Sequence, residues 1–262
     1  MDDNPRPAPR SRGIYLLPNL LTTGGMFSGF YAILAAASGH FEHACIAVFI
    51  AGMFDGVDGR IARLTGTNTE FGVQYDSLAD LVSFGMAPAL VMYHFALSTL
   101  RLDGIAIGKA GWAAAFLYAA CAALRLARFN TQVGVVDKRW FIGLSSPAAA
   151  AVMMAFVWTM VDLGYSGEEL RYAALALTVC CGLLMVSRFR YTSFKGGRAN
   201  PSPPGERVPF LLLLVVVLVI VAIYIYPARL LLGVSGLYAL SGPGLWIWQK
   251  LRRRRGSGQG AA

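Results

Sequence analysis

The sequence predicts an all-α fold, a polytopic membrane bundle of about eight transmembrane helices. Of its 262 residues, 56% are hydrophobic and only 14% are charged, a balance that disfavours a water-soluble surface. Apolar segments long enough to cross a bilayer follow one another along the chain. Lysines and arginines concentrate in alternate connections between these segments. These three observations place most of the chain in a membrane.

A hydropathy window of about 19 residues separates eight candidate helices. They cover residues 15–39, 41–65, 72–98, 107–130, 145–163, 169–189, 208–226 and 228–249. We expect one membrane domain at 14–250, with its core at about 15–190, between a disordered tail at 1–13 and a basic tail at 251–262.

The helices differ in character along the chain. The first is too long for a cleavable signal and is expected to stay in the membrane. The second ends and the third begins in aspartates and glycines, and the fourth ends in a basic cluster. The fifth and sixth are apolar, and a loop rich in proline and glycine at 196–206 precedes the seventh. The last two, at 208–249, are mostly aliphatic and are expected to pack and anchor.

The distribution of basic residues predicts the orientation. If the N-terminus is cytoplasmic, only Arg101, Lys109, Arg171 and Arg229 of the 23 lysines and arginines fall on the outer side. This bias places residues 55–80 at the cytoplasmic face. The net charge of +9 does not indicate nucleic-acid binding, because no basic stripe interleaved with aromatics is present. Anionic lipid headgroups are the expected counter-charge.

Four aspartates lie at two matched spacings where helices two and three meet. Asp55 and Asp58 are three residues apart, and Asp76 and Asp80 are four apart, so each pair projects from one helix face. The connection between the two helices is short, which makes them antiparallel neighbours. We therefore expect the four carboxylates to converge near the cytoplasmic boundary.

Carboxylates in an apolar span need compensation, since each costs about 2.5–3.5 kcal/mol at a helix centre. A divalent cation supplies it, and an all-oxygen ligand set favours Mg²⁺ or Mn²⁺. Gly59 and Gly72 leave room for a diphosphate, and Arg63 offers it a bidentate donor. Two alternatives stay open at this point: pairing of the acids with Arg60 and Arg63 at a solvated helix end, and an ion path lined by carboxylates.

These residues form a signature that resembles the motif of the CDP-alcohol phosphatidyltransferases. The eight positions are Asp55-x2-Asp58-Gly59-x2-Ala62-Arg63-x8-Gly72-x3-Asp76-x3-Asp80. Further stretches are similar to the bacterial, small-membrane-protein type of phosphatidylserine synthase. They are LPNLLT at 17–22, SLADLVSFGMAP at 77–88, LRLARFN at 124–130, FIGLSSP at 141–147 and MVSRFRYTSFK at 185–195. The resemblance extends over residues 15–226. Gly25 and Ser145 stand where many relatives carry Asn and Pro.

The resemblance implies a role for each matched residue. Asp55, Asp58 and Asp76 would ligate a metal pair, and Asp80 would add a ligand and act as the general base. The CDP-lipid would contact Asp55 and residues on three segments, which are Asn19, Thr22, Gly59, Ala62, Arg63 and Gly72. For Asn19 and Thr22, capping of a helix start after Pro18 is the alternative.

The implied reaction joins CDP-diacylglycerol and L-serine to give phosphatidylserine and CMP in a bacterial inner membrane. Arg125, Arg128 and Asn130 would meet the serine carboxylate, with Ser83 in the same pocket. Arg125 and Arg128 could instead be topology anchors. Relatives are typically homodimers. Competing functions are a transferase that uses glycerol phosphate, inositol phosphate or choline, a divalent-cation transporter, and a structural membrane protein.

Overall fold

The computed structural model describes residues 13–65, 69–132, 140–192 and 225–256. They form a helical bundle with one short pair of strands. The elements in chain order are α1 Gly13–Ala37, α2 Phe41–Thr65, α3 Glu70–Asp80, a π-helical turn Leu81–Met86, α4 Ala87–Phe95, a 3₁₀ segment Leu97–Asp103, α5 Ile105–Gln132, β1 Trp140–Ile142, α6 Ser146–Asp162, α7 Arg171–Val186, β2 Arg190–Thr192 and α8 Pro227–Gly256.

The bundle is built from closely packed helix pairs, which are antiparallel for α1 with α2 and for α6 with α8 and parallel for α5 with α7. Helix α1 packs along α2, α5 along α7 and α6 along α8, while α2 also packs on α6. The buried face of α2 is made mostly of small side chains, including Ala44, Ala47 and Ala51. Small residues let helix backbones approach closely in a membrane, where helix association cannot rely on the hydrophobic effect. This close packing fixes α1 against the acidic end of α2.

The outer surface of the bundle is apolar. Phe27, Met53, Trp112 and Phe116 are all more than half exposed. Three helical stretches are long and apolar enough to cross a membrane, namely Leu17–Ala37, Glu70–Asp103 and Ile105–Thr131. Helices α6 and α7 are shorter apolar helices. These surfaces agree with a membrane protein, whereas the prediction of eight spans is not confirmed.

The bundle has two chemically different ends. At the end that we call the acidic end, α1, α3 and α6 begin and α2, α5 and α7 terminate. At the other, which we call the far end, the ring of Phe41 packs edge-on against Phe95 at 5.2 Å. The far end also holds the ion pairs Arg171–Asp103 and Arg229–Asp162. All four predicted acids lie toward the acidic end.

The membrane-spanning stretch Glu70–Asp103 is continuous but not uniformly α-helical. Its π-helical turn follows Asp80 directly and buries Ser83 and Phe84. Pro88 cannot donate the hydrogen bond that the Phe84 carbonyl would receive in an α-helix. The Tyr118 hydroxyl of α5 donates to that carbonyl at 3.0 Å. Helix α5 therefore supports the backbone just beyond the acids.

The helices agree with seven of the eight predicted segments. The remaining one, the seventh at 208–226, lies outside the described residues except for its last two, and the loop at 196–206 and most of the tail at 1–13 also lie outside them. Helix α8 continues to Gly256, beyond the predicted end. The sequence did not predict the antiparallel pairing of β1 with β2, because three-residue strands are too short to give a periodic pattern.

Candidate active site

Three carboxylates meet between α2 and α3. One oxygen from each of Asp55, Asp76 and Asp80 can be chosen so that all lie within 4.8 Å of one another. Each side chain is partly buried. The helical spacing explains the convergence, because Asp76 and Asp80 project from the same face of α3 toward the last turns of α2. Like charges this close repel one another unless a cation lies between them.

Asp58 borders the same site but is not one of the three converging carboxylates. Its side chain is only 4% exposed, and Thr22 on α1 donates a hydrogen bond to Asp58 Oδ2 at 2.7 Å. Thr22 Oγ1 also lies 3.1 Å from the Pro18 carbonyl. The triad of converging oxygens therefore contains three of the four predicted metal ligands, and the ligand role of Asp58 stays a prediction.

A small cavity borders all four carboxylates. Its volume is about 10 Å³, and Ser83 and Phe84 of the π-helical turn form part of its wall. Space on this scale suits a single small ion or water molecule. The Ser83 hydroxyl donates to the Gly25 carbonyl at 3.1 Å. A Cβ at Gly29 would lie 2.7 Å from Ser83 Cα, so α1 packs directly on this turn.

A larger cleft opens beside the acids and has a volume of about 100 Å³. It lies between α1, the end of α2 and the beginning of α3. The lining residues are Pro18, Asn19, Thr22, Asp58, Gly59, Ala62, Thr69, Gly72, Val73 and Asp76. A Cβ at Gly59 would meet nothing within 4 Å. The cleft thus joins apolar and amide groups to the edge of the carboxylate cluster.

The cleft also receives the N-terminus of α3. Thr69 is the N-cap of this helix, and its hydroxyl accepts a hydrogen bond from the Gly72 backbone N–H at 3.0 Å. The amides of a helix N-terminus favour negatively charged ligands. A Cβ at Gly72 would lie 3.1 Å from Thr69 Oγ1 and 3.6 Å from Asn19 Oδ1. Gly72 therefore keeps this corner of the cleft open.

Most of the predicted CDP-lipid residues line the cleft, with two exceptions. Asp55 borders the small cavity between the carboxylates instead. Arg63 is exposed and does not line the cleft, although it directly follows Ala62, which does. Helix α1 begins at Gly13, so Pro18 lies inside it. The alternative of a helix start capped by Asn19 or Thr22 is therefore wrong.

The predicted serine residues lie next to the carboxylates at the end of α5. Arg125 interacts electrostatically with Asp80 and with Arg128, and its Nη1 donates to Ser146 Oγ at 3.0 Å. Its buried Nε has no hydrogen-bond partner among the described residues. Asn130 Nδ2 donates to Ser77 Oγ at 3.0 Å, one residue after Asp76. The end of α5 is thereby fixed to the acidic face of α3.

Several residues at the site were not predicted from the sequence. Tyr75 shares a 2.8 Å hydrogen bond with Thr23, joining α3 to α1. Thr69 was detectable, because a threonine that precedes a glutamate at a helix start is a typical N-cap. Ser146 gave no signal of its own, since its contact with Arg125 joins residues 21 apart.

The geometry defines a class of protein: a helical membrane protein with a carboxylate cluster suited to a cation and an adjoining cleft suited to a phosphorylated ligand. The family model of the CDP-alcohol phosphatidyltransferases matches residues 15–184. The chain belongs to this family. Its members generally use divalent cations, in agreement with the triad of Asp55, Asp76 and Asp80.

Three relatives align with between 69% and 90% of the chain. The chain is 36% identical over 235 residues to a CDP-diacylglycerol–serine O-phosphatidyltransferase of Helicobacter pylori, with 90% of this chain and 92% of the relative covered. It is 35% identical over 182 residues to an archaetidylserine synthase of Methanothermobacter thermautotrophicus, with 69% and 71% covered. A CDP-diacylglycerol–serine O-phosphatidyltransferase of Mycobacterium leprae is 31% identical over 188 residues, with 69% of this chain and 60% of the relative covered.

Proposed function

We propose that this protein is an enzyme that transfers a phosphatidyl group from CDP-diacylglycerol to L-serine, giving phosphatidylserine and CMP. The observation that carries the proposal is the carboxylate triad at the edge of a cleft lined by Gly59, Ala62 and Gly72 of the family signature. The names of the relatives that align over most of the chain support serine as the acceptor.

The residues present fit a divalent cation. Three carboxylates supply hard oxygen donors, and the cavity between them has the size of a single ion. We propose that Asp55, Asp76 and Asp80 hold Mg²⁺ or Mn²⁺, with Asp58 as a further ligand. When bound, the cation neutralises charge on the diphosphate and on the departing CMP.

The nucleotide half of the substrate is assigned to the cleft. Asn19 and Thr22 offer polar groups from α1, and the backbone at Gly59 and Gly72 lets a bulky ligand approach. The N-terminus of α3 adds amides that favour a diphosphate. We assign Arg63 to the outer part of the diphosphate site, because it is exposed at the rim of the cleft.

Asp80 is the proposed general base. It has two carboxylate oxygens, so one can serve the cation while the other accepts the proton of the serine hydroxyl. The serine oxygen then attacks the phosphorus of the phosphatidyl group, and the bond between that phosphorus and the oxygen of CMP breaks. Arg125 interacts electrostatically with Asp80, so a positive charge lies beside the proposed base.

The acceptor is assigned to the face of α5 beside Asp80. Arg125 and Arg128 provide positive charge for the serine carboxylate, and Asn130 continues this polar face to Ser77. We assign Ser83 to the floor of the pocket, since it lines the small cavity beside Asp80. This arrangement suits an amino acid better than choline, which requires an aromatic cage.

The proposed location is the bacterial inner membrane, with the acidic end at the cytoplasmic face. The acidic end carries Arg125 and Arg128, while Arg101 and Arg171 lie toward the far end, as the positive-inside rule requires. A homodimer also remains a proposal, and cross-linking in native membranes tests it. Labelling of the far end by a reagent confined to the cytoplasmic side would contradict the proposed orientation.

One assay tests the function. Purified protein is incubated with CDP-diacylglycerol, Mn²⁺ or Mg²⁺, and in turn serine, glycerol 3-phosphate, inositol phosphate or choline, and CMP release is measured. We expect release with serine to exceed that with every other acceptor. Release with another acceptor alone would replace serine within the same family. Metal uptake into vesicles without any CMP release would favour a cation transporter instead.

A further inference from the structure

Helix α8 lies beyond residues 15–184, which the family model matches, yet it reaches the acceptor side of the site. Tyr238 on α8 interacts electrostatically with Arg125. Its ring lies 5.6 Å from that of Tyr191 on β2, which is fully buried. Helix α8 also packs along α6, whose first residue, Ser146, accepts the hydrogen bond from Arg125. The segment outside the family region therefore contacts the surroundings of Arg125.

Tyr191 is joined to α8 at a defect in that helix. Pro243 lies inside α8 and has no N–H, so the Ala239 carbonyl four residues earlier lacks its normal helix partner. The Tyr191 hydroxyl donates to that carbonyl at 3.1 Å in a buried position. A buried carbonyl without a partner is costly, especially in a membrane. The hydrogen bond from Tyr191 therefore compensates for the proline.

The neighbouring glycine is fitted to the same contact. A Cβ at Gly242 would overlap the ring of Tyr191. At Gly244, two residues farther along, a Cβ would meet nothing within 4 Å. The ring of Phe189 packs edge-on against Trp246 at 5.7 Å, which adds a second contact between the β2 region and α8. Together these contacts fix the position of α8 along its axis.

We propose that α8 forms the outer wall of the acceptor pocket and that Tyr191 is the positioning residue that holds this wall against Arg125. The inference rests on the proposed function, because it concerns the serine pocket of the same site. A closed wall keeps water away from the Arg125 guanidinium. The attraction between this group and the serine carboxylate is stronger without water between them. Loss of the wall should therefore weaken serine binding and leave the nucleotide cleft, on the other side of the acids, unchanged.

The first test compares two tyrosine-to-phenylalanine variants, each of which loses one hydroxyl. Tyr191→Phe should raise the serine KM by roughly threefold to tenfold, the range expected for one net hydrogen bond. The KM for CDP-diacylglycerol should not change. Tyr172→Phe is the matched control, because its hydroxyl bonds Asp103 at the far end. An unchanged serine KM in Tyr191→Phe would overturn the positioning role.

The second test compares two glycine variants of the same helix. Gly242→Ala should raise the serine KM, because the new methyl group displaces Tyr191, whereas Gly244→Ala should behave like the unmodified protein. Equal effects of the two substitutions would contradict the inference. If Gly242→Ala does not fold, Tyr191→Phe still decides the question.

The third test examines the proline directly. In Pro243→Ala the new N–H can bond the Ala239 carbonyl, so Tyr191→Phe should lower the Tm in detergent much less in this background than in the native one. If Tyr191→Phe lowers the Tm equally in both backgrounds, Tyr191 does not compensate for Pro243.

The proposed function is tested separately, and it fails if the unmodified protein releases no CMP with serine. Serine turnover with no effect of Tyr191→Phe on serine KM would overturn the role of α8 alone.

Discussion

The two ends of the bundle hold their acidic side chains in opposite ways. At the far end, Asp103 accepts hydrogen bonds from Arg171 at 2.6 and 2.8 Å and from Tyr172 at 2.9 Å. At the acidic end, the carboxylates of Asp76 and Asp80 converge with that of Asp55. Among the described residues neither Asp76 nor Asp80 has an ion-pair partner. An aspartate at the far end thus pairs with an arginine, whereas the aspartates at the acidic end face other aspartates.

This difference separates structural acids from functional ones. An aspartate paired with arginine has a complete set of partners and fastens the 3₁₀ segment to α7. In the converging triad the carboxylates repel one another, and a cation that joins all three offsets this repulsion. We therefore expect the acidic end to respond to metal and the far end to be indifferent to it.

The largest expected effect is that of metal removal. Treatment with EDTA should abolish CMP release, and Mg²⁺ or Mn²⁺ should restore it. Independently of activity, added Mn²⁺ should raise the Tm of the EDTA-treated protein, because a ligand that binds only the folded state stabilises it. Full turnover in EDTA, or an unchanged Tm, would contradict a cation site in the triad.

Substitution of the proposed base should have the next largest effect. Asp80→Asn should lower kcat by roughly 10²–10⁴-fold, the usual contribution of general-base catalysis, while binding of CDP-diacylglycerol largely survives. Asp162→Asn is the matched control at the far end, where the carboxylate pairs with Arg229. Its kcat should remain native. Retained turnover in Asp80→Asn would remove Asp80 from the base role.

A smaller effect is expected where α1 touches the acids. Thr22→Val removes the hydrogen bond to Asp58 but keeps the shape of the side chain. The KM for CDP-diacylglycerol should rise by roughly tenfold to a hundredfold, since a hydrogen bond to a buried charge contributes about 1.5–3 kcal/mol. Ser28→Ala, which removes only a bond to the Gly24 carbonyl of the same helix, serves as the control. Equal KM values in the two variants would argue against the role of Thr22.

The smallest effects concern stability and should have opposite signs at the two ends. In metal-free protein, Asp76→Asn should raise the Tm by relieving repulsion within the triad, whereas Asp103→Asn should lower it by a few degrees by weakening the pair with Arg171. Neither change should alter the helical content. A decrease in both variants would show that the two groups of acids are held alike.

The sequence predicted the part of the site that depends on helical spacing. Asp55, Asp76 and Asp80 converge because i+4 spacing and a short connection leave them few other arrangements. The partner of Asp58 could not be predicted in this way, because the Thr22 contact depends on how α1 is rotated against α2.

Contacts between distant segments were similarly hidden. The hydrogen bonds from Tyr118 to Phe84 and from Tyr191 to Ala239 join residues 34 and 48 apart. Each compensates for a proline, Pro88 or Pro243, that the sequence displays only as a helix defect. A proline marks where a partner is needed, but only the packed bundle shows which residue provides it.

The π-helical turn at Leu81–Met86 separates two faces of one continuous helix. A π-helical turn bonds residues five apart instead of four, so it accommodates one additional residue. A residue added to a regular α-helix would rotate everything beyond it by roughly 100° about the helix axis. The wider turn takes up its additional residue locally, so Asp76 and Asp80 on one side and the buried face of α4 on the other keep the directions of an uninterrupted helix. The extra residue changes only the turn itself, which presses Ser83 and Phe84 into the wall of the cavity beside the carboxylates.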